Sequence, residues 1–360
     1  MRNKRKIALV GGGTAGHITP NLALIPELKS RGYEVIYIGS NGGMEERIME
    51  KAKVPFYGVT SDKLRRYFDV KNIFMPINVI KGISEARKIL EEQKVDIIFS
   101  KGGYVAVPIV IAASKYKIPI VSHEADMTPG LANKIAAPFS KVICCNFEET
   151  AKHFGKKGVH TGSPIRQEIL SGDREKGFKI LQFDNNKPII LVTGGSLGSL
   201  YINELIRKNL DKLLEKYNIV HQCGTGKIDY DINCDGYIQK EIISDNLPDV
   251  FAASDMVISR AGANIIFELL ALKKPSLLIP LSKKASRGDQ ILNAESFAKH
   301  NYAVVLTEEE QDKKPWTFFE KIEELNNKKD GMVEAMKKAK ENDAINKIGA
   351  MPAPFVKYCS

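Results

Sequence analysis

The chain has 360 residues, and at about 150 residues per domain that length points to two domains. Hydrophobic residues make up 43% and charged residues 27%, a globular composition that excludes a wholly disordered or fibrous chain. Lys and Arg number 53 against 43 Asp and Glu, and the net charge of +10 favours anionic partners such as phosphates or an acidic lipid surface.

Other broad classes fall away as quickly. No apolar run approaches the roughly 18–20 residues needed to span a bilayer, and the longest, 105–113, contains Pro108. The basic start from Met1 to Lys6 leads into only Ile7–Val10 before a run of glycines, too short for a secretory signal, so a cytoplasmic setting is expected. The five cysteines (144, 145, 223, 234, 359) contain no CxxC and suit neither a disulfide framework nor a zinc site. The histidines (17, 123, 153, 160, 221, 300) form no HxxxH pair.

In chain order, the first half predicts strands at Lys6–Val10, Glu34–Ile38, Val95–Phe99, Ile118–Ser122 and Lys141–Cys145. The first runs into Gly11-Gly-Gly-Thr-Ala-Gly16, a literal GxGxxG whose glycines let a ligand approach helix N-terminal amides. His17 follows at the helix start, where the positive end of the helix would keep its ring neutral and able to take a proton. Pro20 suits a first turn, whereas Pro26 predicts a kink. The second strand ends Ile38-Gly-Ser-Asn41 without the acid that a dinucleotide site needs for its ribose, which argues against a dehydrogenase.

An apolar cluster at Asn72–Ile80 lies beside Lys63, Arg65, Arg66, Lys71 and Lys81, the make-up of an interfacial patch on anionic lipid; an internal helix with charged flanks is the competing reading. Ser100-Lys-Gly-Gly-Tyr-Val-Ala-Val-Pro108 repeats the strand, glycine turn and helix pattern and brings Tyr104 to the sheet edge. His123-Glu-Ala-Asp126 ends the next strand with acids that can bind sugar hydroxyls, move protons, or simply cap a helix. Turn residues at Gly162-Ser-Pro164 mark the domain boundary.

The second half opens like the first. Strands are predicted at Pro188–Thr193, Asn218–Gln222, Met256–Ser259, Ser276–Pro280 and Ala303–Leu306. Gly194-Gly-Ser-Leu-Gly198 after the first of these suits a phosphate, to which Arg166 can add its charge. Asp229-Tyr-Asp231 is a literal DxD, a spacing some glycosyltransferases use to hold a divalent cation, but its polar surroundings read as a loop. Ser259-Arg-Ala-Gly-Ala-Asn264 is a further turn, with Glu268 on the helix behind it suited to accept from both hydroxyls of a ribose. Arg287-Gly-Asp-Gln290 opens another helix with groups that can read sugar hydroxyls. Met332–Asn342 predicts a Lys/Glu-rich helix, and the tail after it is expected to pack back on a domain. Continuous apolar strands alternating with helices imply parallel sheets covered on both faces. The fold class is therefore α/β, two Rossmann-like doubly wound domains facing across a cleft, with expected limits of 1–163, 164–340 and a tail at 341–360.

Taken in order, GGGTAGHITP (11–20), KGGYVAVP (101–108), HEADMTPGLANK (123–134), GSPIR (162–166), GGSLGSLYIN (194–203), SRAGANIIFE (259–268) and RGDQILNA (287–294) resemble the MurG family, the N-acetylglucosaminyltransferases of peptidoglycan synthesis in glycosyltransferase family 28. The resemblance spans most of the chain and implies the GT-B fold. It implies inverting transfer of GlcNAc from UDP-GlcNAc to the C4 hydroxyl of MurNAc in lipid I, at the cytoplasmic face of the membrane and without a cofactor or required metal. By motif position, His17 and Glu124 resemble the catalytic positions, and Tyr104 and Asn133 those on the acceptor side. Thr14, Gly16, Asp126, Arg166, Ser196, Ile243, Glu268, Asp289 and Gln290 resemble the donor-binding set. In that set Arg166 and Ser196 match the diphosphate positions, Glu268 the ribose, Ile243 the backbone contact to uracil, and Asp289 and Gln290 the sugar hydroxyls. Two departures stand out: Ala125-Asp126 where the family commonly has Gln-Asn, and Asp289-Gln290 where many members have paired glutamines. A paralogue with another acceptor, or a UDP-GlcNAc 2-epimerase, is the alternative on this scaffold. A nucleic-acid-binding role lacks any supporting motif.

Overall fold

The computed structural model describes residues 4–61, 71–183, 186–195 and 197–355. It divides into two compact units, one of residues 1–166 with 340–360, the other of residues 167–339.

The first unit is built on strands β1 (Lys6–Val10), β2 (Glu34–Ser40), β3 (Phe56–Val59), β4 (Ile97–Ser100), β5 (Ile120–Glu124), β6 (Val142–Cys145) and β7 (Gly158–His160). They pair in parallel in the order β3-β2-β1-β4-β5-β6-β7. The continuous apolar runs are explained by the two-sided core. On β1, Ile7 and Leu9 belong to one buried cluster with Leu24 and Leu28 of the helix Ala15–Ser30, while Ala8 and Val10 belong to another with Val105 and Ile109. Full burial of each large aliphatic side chain contributes about 1.5–3 kcal/mol, which holds strand and helices together without alternating polarity. The helix Ala15–Ser30 continues through Pro20 and Pro26 without interruption; its buried apolar side chains outweigh the backbone bonds that the prolines remove.

The second unit repeats the plan with β8 (Ile189–Thr193), β9 (Asn218–Gln222), β10 (Tyr237–Lys240), β11 (Met256–Ser259), β12 (Ser276–Leu278) and β13 (Ala303–Val305). Their order is β10-β9-β8-β11-β12-β13, again parallel throughout. In both sheets the strand order turns back beside the first strand, between β1 and β4 and between β8 and β11. In open parallel sheets such a switch point is where the strand ends leave room for a ligand. The predicted strands recur with ends shifted by two residues at most, and β3, β7 and β10 are additional.

The helix expected at Met332–Asn342 is the end of a longer one, Thr317–Lys337, whose buried Phe318, Ile322, Leu325, Met332 and Met336 set its length. A further helix, Ala344–Ala350, packs on the helix Ala15–Ser30, with Arg31 Nη2 donating to the Asn346 carbonyl. Among the described residues no helix is long and apolar enough to cross a membrane.

Candidate active site

At the switch point of the first unit, the turns after β1 and β4 lie side by side. Gly13 has φ of +79°, and a Cβ there would run into the Tyr104 ring, so glycine meets both the backbone and the steric demand. A Cβ on Gly103 would lie 3.1 Å from His17 Nδ1, which places the imidazole directly against the second turn. The Thr14 hydroxyl sits 2.9 Å from the same nitrogen and fixes the ring's orientation. Gly16 and His17 are partly buried, and Thr14 is exposed.

Burial lowers the His17 pKa to about 4, assisted by the positive charge of Lys101 and opposed by a backbone hydrogen bond to Gly12. The ring is neutral, as expected from the helix start, but burial and a neighbouring ammonium are the causes. Lys101, the first residue of the second turn, is itself buried, and desolvation lowers its pKa to about 8 against the attraction of Glu124 and Asp126. Its Nζ donates to His123 Nδ1 at 2.6 Å, and His123 Nε2 donates to the Gly162 carbonyl at 3.2 Å. In the sequence Lys101 stands out only as part of the 101–108 motif. The available signal was a lysine closing an apolar strand, where a solvated charge has no room.

Glu124 is placed differently from a free proton carrier. One carboxylate oxygen accepts the amides of Ala125 and Asp126 at 2.9 and 3.1 Å; the other accepts Gly130 N–H at 2.9 Å and Asn133 Nδ2 at 2.8 Å. Burial raises its pKa while these bonds hold it down. The side chain anchors the loop 125–130, and Asn133, buried and also donating to the His123 carbonyl at 3.0 Å, braces it. Asp126 is carried on that loop, partly buried. Glu124, expected at a catalytic position, here has both carboxylate oxygens engaged by the loop it anchors.

Arg166 ends the first unit with its Nε buried and without a hydrogen-bond partner. Ser196 and, from the basic-apolar cluster, Lys63, Arg65 and Arg66 lie outside the described residues. The helix Lys71–Glu92 carries the rest of that cluster, and its Ile77 and Ile80 are exposed.

At the switch point of the second unit, Gly198 has φ of +68°, and its Cα faces the Cys223 carbonyl so closely that no side chain fits. Ser199 caps the helix Leu200–Lys208, accepting Ile202 N–H at 3.3 Å. Arg260, from the turn after β11, locks this arrangement. Its Nε and Nη2 donate to Ser199 Oγ at 3.1 and 2.7 Å, and its Nη1 meets Glu308 at 2.6 Å and the carbonyls of Ile279 and Pro280. Arg260, too, stands out in the sequence only as part of the 259–268 motif.

Glu268 lies partly buried on the helix Ala263–Leu272. Gln290 Oε1 accepts the amides of Ala261 and Leu281 at 3.3 and 3.2 Å, tying the turn after β11 to the segment that follows β12. Asp289 is held by Arg287 through Nε and Nη2 at 2.9 and 2.7 Å. The Ile243 amide donates to Gln222 Oε1 at 2.9 Å. Asp229-Tyr-Asp231 is a closed turn in which Asp229 accepts Asp231 N–H at 3.2 Å. Among the described residues no three His, Cys, Asp or Glu side chains gather as a metal site.

Comparison with known proteins agrees with this architecture. The N-terminal domain of glycosyltransferase family 28 matches residues 7–144 and its C-terminal domain residues 189–348. The chain is 53% identical over 355 residues to a UDP-N-acetylglucosamine--N-acetylmuramyl-(pentapeptide) pyrophosphoryl-undecaprenol N-acetylglucosamine transferase of Clostridium botulinum, covering 98% of this chain and 100% of the relative. It is 54% identical over 347 residues to the transferase of the same name from Clostridium tetani, covering 96% of each. The crystal structure of Acinetobacter baumannii MurG superposes with a TM-score of 0.75 at 25% identity, covering 97% of this chain and 99% of that one. The chain belongs to glycosyltransferase family 28.

Proposed function

We propose that this member of glycosyltransferase family 28 transfers GlcNAc from UDP-GlcNAc to the C4 hydroxyl of MurNAc in an undecaprenyl-diphosphate-linked acceptor, yielding lipid II with inversion at the sugar carbon. The observation that carries the reading is the identity above one half, across both units, to transferases that bear this name.

The second unit takes the donor. The glycine turn 194–198 and the amides of the helix behind it receive the diphosphate, joined by Arg166 and Ser196. Ile243 meets the uracil and Glu268 the ribose, while Gln290 Nε2 and Asp289 read the sugar hydroxyls. The first unit holds the acceptor beside Tyr104, with Glu124 and Asn133 shaping the loop that carries Asp126. The acceptor oxygen forms its bond to the GlcNAc C1 as the bond from C1 to the diphosphate oxygen breaks, and UDP departs with the electron pair. His17 takes the hydroxyl proton. A ring with a pKa of about 4 is a weak base, and it suffices because the hydroxyl becomes strongly acidic as its new bond to carbon forms. Helix amides and Arg166 stabilise the leaving diphosphate, so the reading calls on no cofactor or metal ion. Exposed Ile77 and Ile80, with Lys81 nearby, support peripheral association with an anionic membrane at its cytoplasmic face, where the lipid acceptor resides.

Incubation with radiolabelled UDP-GlcNAc and a lipid I analogue tests the reading, with label expected in the lipid. Tight UDP binding with no label in lipid would reject the acceptor. Isomerisation of UDP-GlcNAc without any acceptor would favour an epimerase.

A further inference from the structure

Glu45 is the second residue of the helix Met44–Lys51, and it is completely buried, although an acid in a first helical turn ordinarily faces water. Its neighbour Glu46 plays the ordinary part: exposed, it accepts Gly42 N–H at 3.1 Å. Glu45 turns inward instead. Its Oε1 accepts Ser40 N–H at 2.9 Å at the end of β2, and its Oε2 is buried without a hydrogen-bond partner. Three glycines clear room for it, since a Cβ on Gly12, Gly39 or Gly43 would run into the Glu45 side chain. Gly12 belongs to the turn after β1, so the carboxyl group packs directly against the backbone of that turn. Tyr37 supports the preceding peptide, its hydroxyl donating to the Gly11 carbonyl at 2.9 Å. The Gly12 carbonyl in turn accepts a hydrogen bond from the His17 ring. One imidazole nitrogen therefore carries its proton toward Gly12, and the other keeps the lone pair.

A fully buried carboxyl group with one oxygen unpaired is a poor device for stability, because its desolvation opposes folding. We propose that Glu45 is a positioning residue, the strut beneath Gly12 that aims the Gly12 carbonyl at His17 and so fixes which ring nitrogen is free to take a proton. The proposal rests on the role of His17 as proton acceptor given above. Glu45 itself is shut off from any substrate and acts only through the turn.

The test compares wild type, Glu45→Ala and Glu45→Gln in the full-length protein, with thermal melting to confirm folding. Nitrogen-detected NMR of the His17 ring reports which nitrogen is protonated, and transfer from UDP-GlcNAc to a lipid I analogue reports kcat and KM. Wild type should show a single neutral form of the ring. Glu45→Ala leaves Gly12 unsupported, so the ring should divide between its two neutral forms. Its kcat should fall roughly tenfold with KM for UDP-GlcNAc little changed, as for the loss of one orienting hydrogen bond. Glu45→Gln still fills the space and accepts Ser40 N–H, and it should restore both signals. A merely structural role would lower the melting temperature and leave the ring and the split between kcat and KM alone. A ring already divided in wild type, or an undisturbed ring or kcat in folded Glu45→Ala, overturns the proposal. So does a Glu45→Gln variant no better than Glu45→Ala. If Glu45→Ala fails to fold, Glu45→Asp, whose carboxyl group is drawn back from Gly12 by a methylene, takes its place under the same criteria. Wild-type protein that moves no label would instead sink the transferase reading, and the NMR comparison would still decide on Glu45.

Discussion

The ammonium of Lys101 lies 2.6 Å from Nδ1 of His123, and both side chains are closed off from solvent. Because His123 Nε2 donates to the Gly162 carbonyl, Nδ1 carries the lone pair and Lys101 supplies its proton. Lys101→Met removes that donor and leaves a buried acceptor unpaired, at a cost of about 1–3 kcal/mol on denaturant unfolding. The same change removes the positive charge that helps depress His17, so the His17 titration should move upward from about 4 yet stay below 6.5, since burial is the larger cause. Nitrogen-detected NMR of the imidazoles reads this directly, and an unmoved titration would separate the two residues.

His17→Ala should lower kcat by about 100-fold or more while donor affinity changes little, as expected for loss of a general base. A turnover rate within a few-fold of wild type would remove His17 from the chemistry.

Stability should fall on acidification below neutrality. The folded pKa of His17, about 4, lies beneath its unfolded value of 6.5, and burial lowers His123 and His221 in the same direction. Between those limits the unfolded chain binds more protons, so unfolding free energy rises with pH across that window and is lost on the way down. Urea midpoints at pH 5 and pH 7 check the sign; equal midpoints would contradict it.

Glu268→Ala should weaken UDP-GlcNAc binding by roughly tenfold, the value of a charge-assisted hydrogen bond to a ribose hydroxyl. Retained donor affinity would remove the ribose role.

Arg260→Ala leaves the partly buried Glu308 carboxylate without its guanidinium partner and releases Ser199 Oγ. A loss of about 3–5 kcal/mol in unfolding free energy is expected, and Arg260→Ala/Glu308→Ala should recover part of it. Melting temperatures of the pair of variants decide this.

Much of this molecule could be read from the chain because the inner strands are continuous apolar runs ending in glycine turns. The unread strands lie at or toward the sheet margins: Phe56–Val59, Gly158–His160 and Tyr237–Lys240 are short, partly exposed and interrupted by glycine or charge, so they lack the doubly buried signature. The site was legible by position and less so by role. Glu124 looks like any acid at a strand end until Ala125, Asp126, Gly130 and Asn133 close around it, and those partners come from a loop conformation that spacing does not encode. Lys101 and Arg260 were hidden for the same reason, since a basic residue in a turn is ordinarily a solvated one.

Residues 340–360 complete the first unit, with Ala344 and Ile348 buried among Leu24, Leu28 and Tyr33. On the ribosome, that helix emerges only after the whole of 167–339 has been translated. The nascent first unit must therefore wait with an uncovered greasy groove along its opening helix, and a transcript truncated after codon 339 would encode every residue assigned to chemistry yet lack the seal that finishes the earliest-made half.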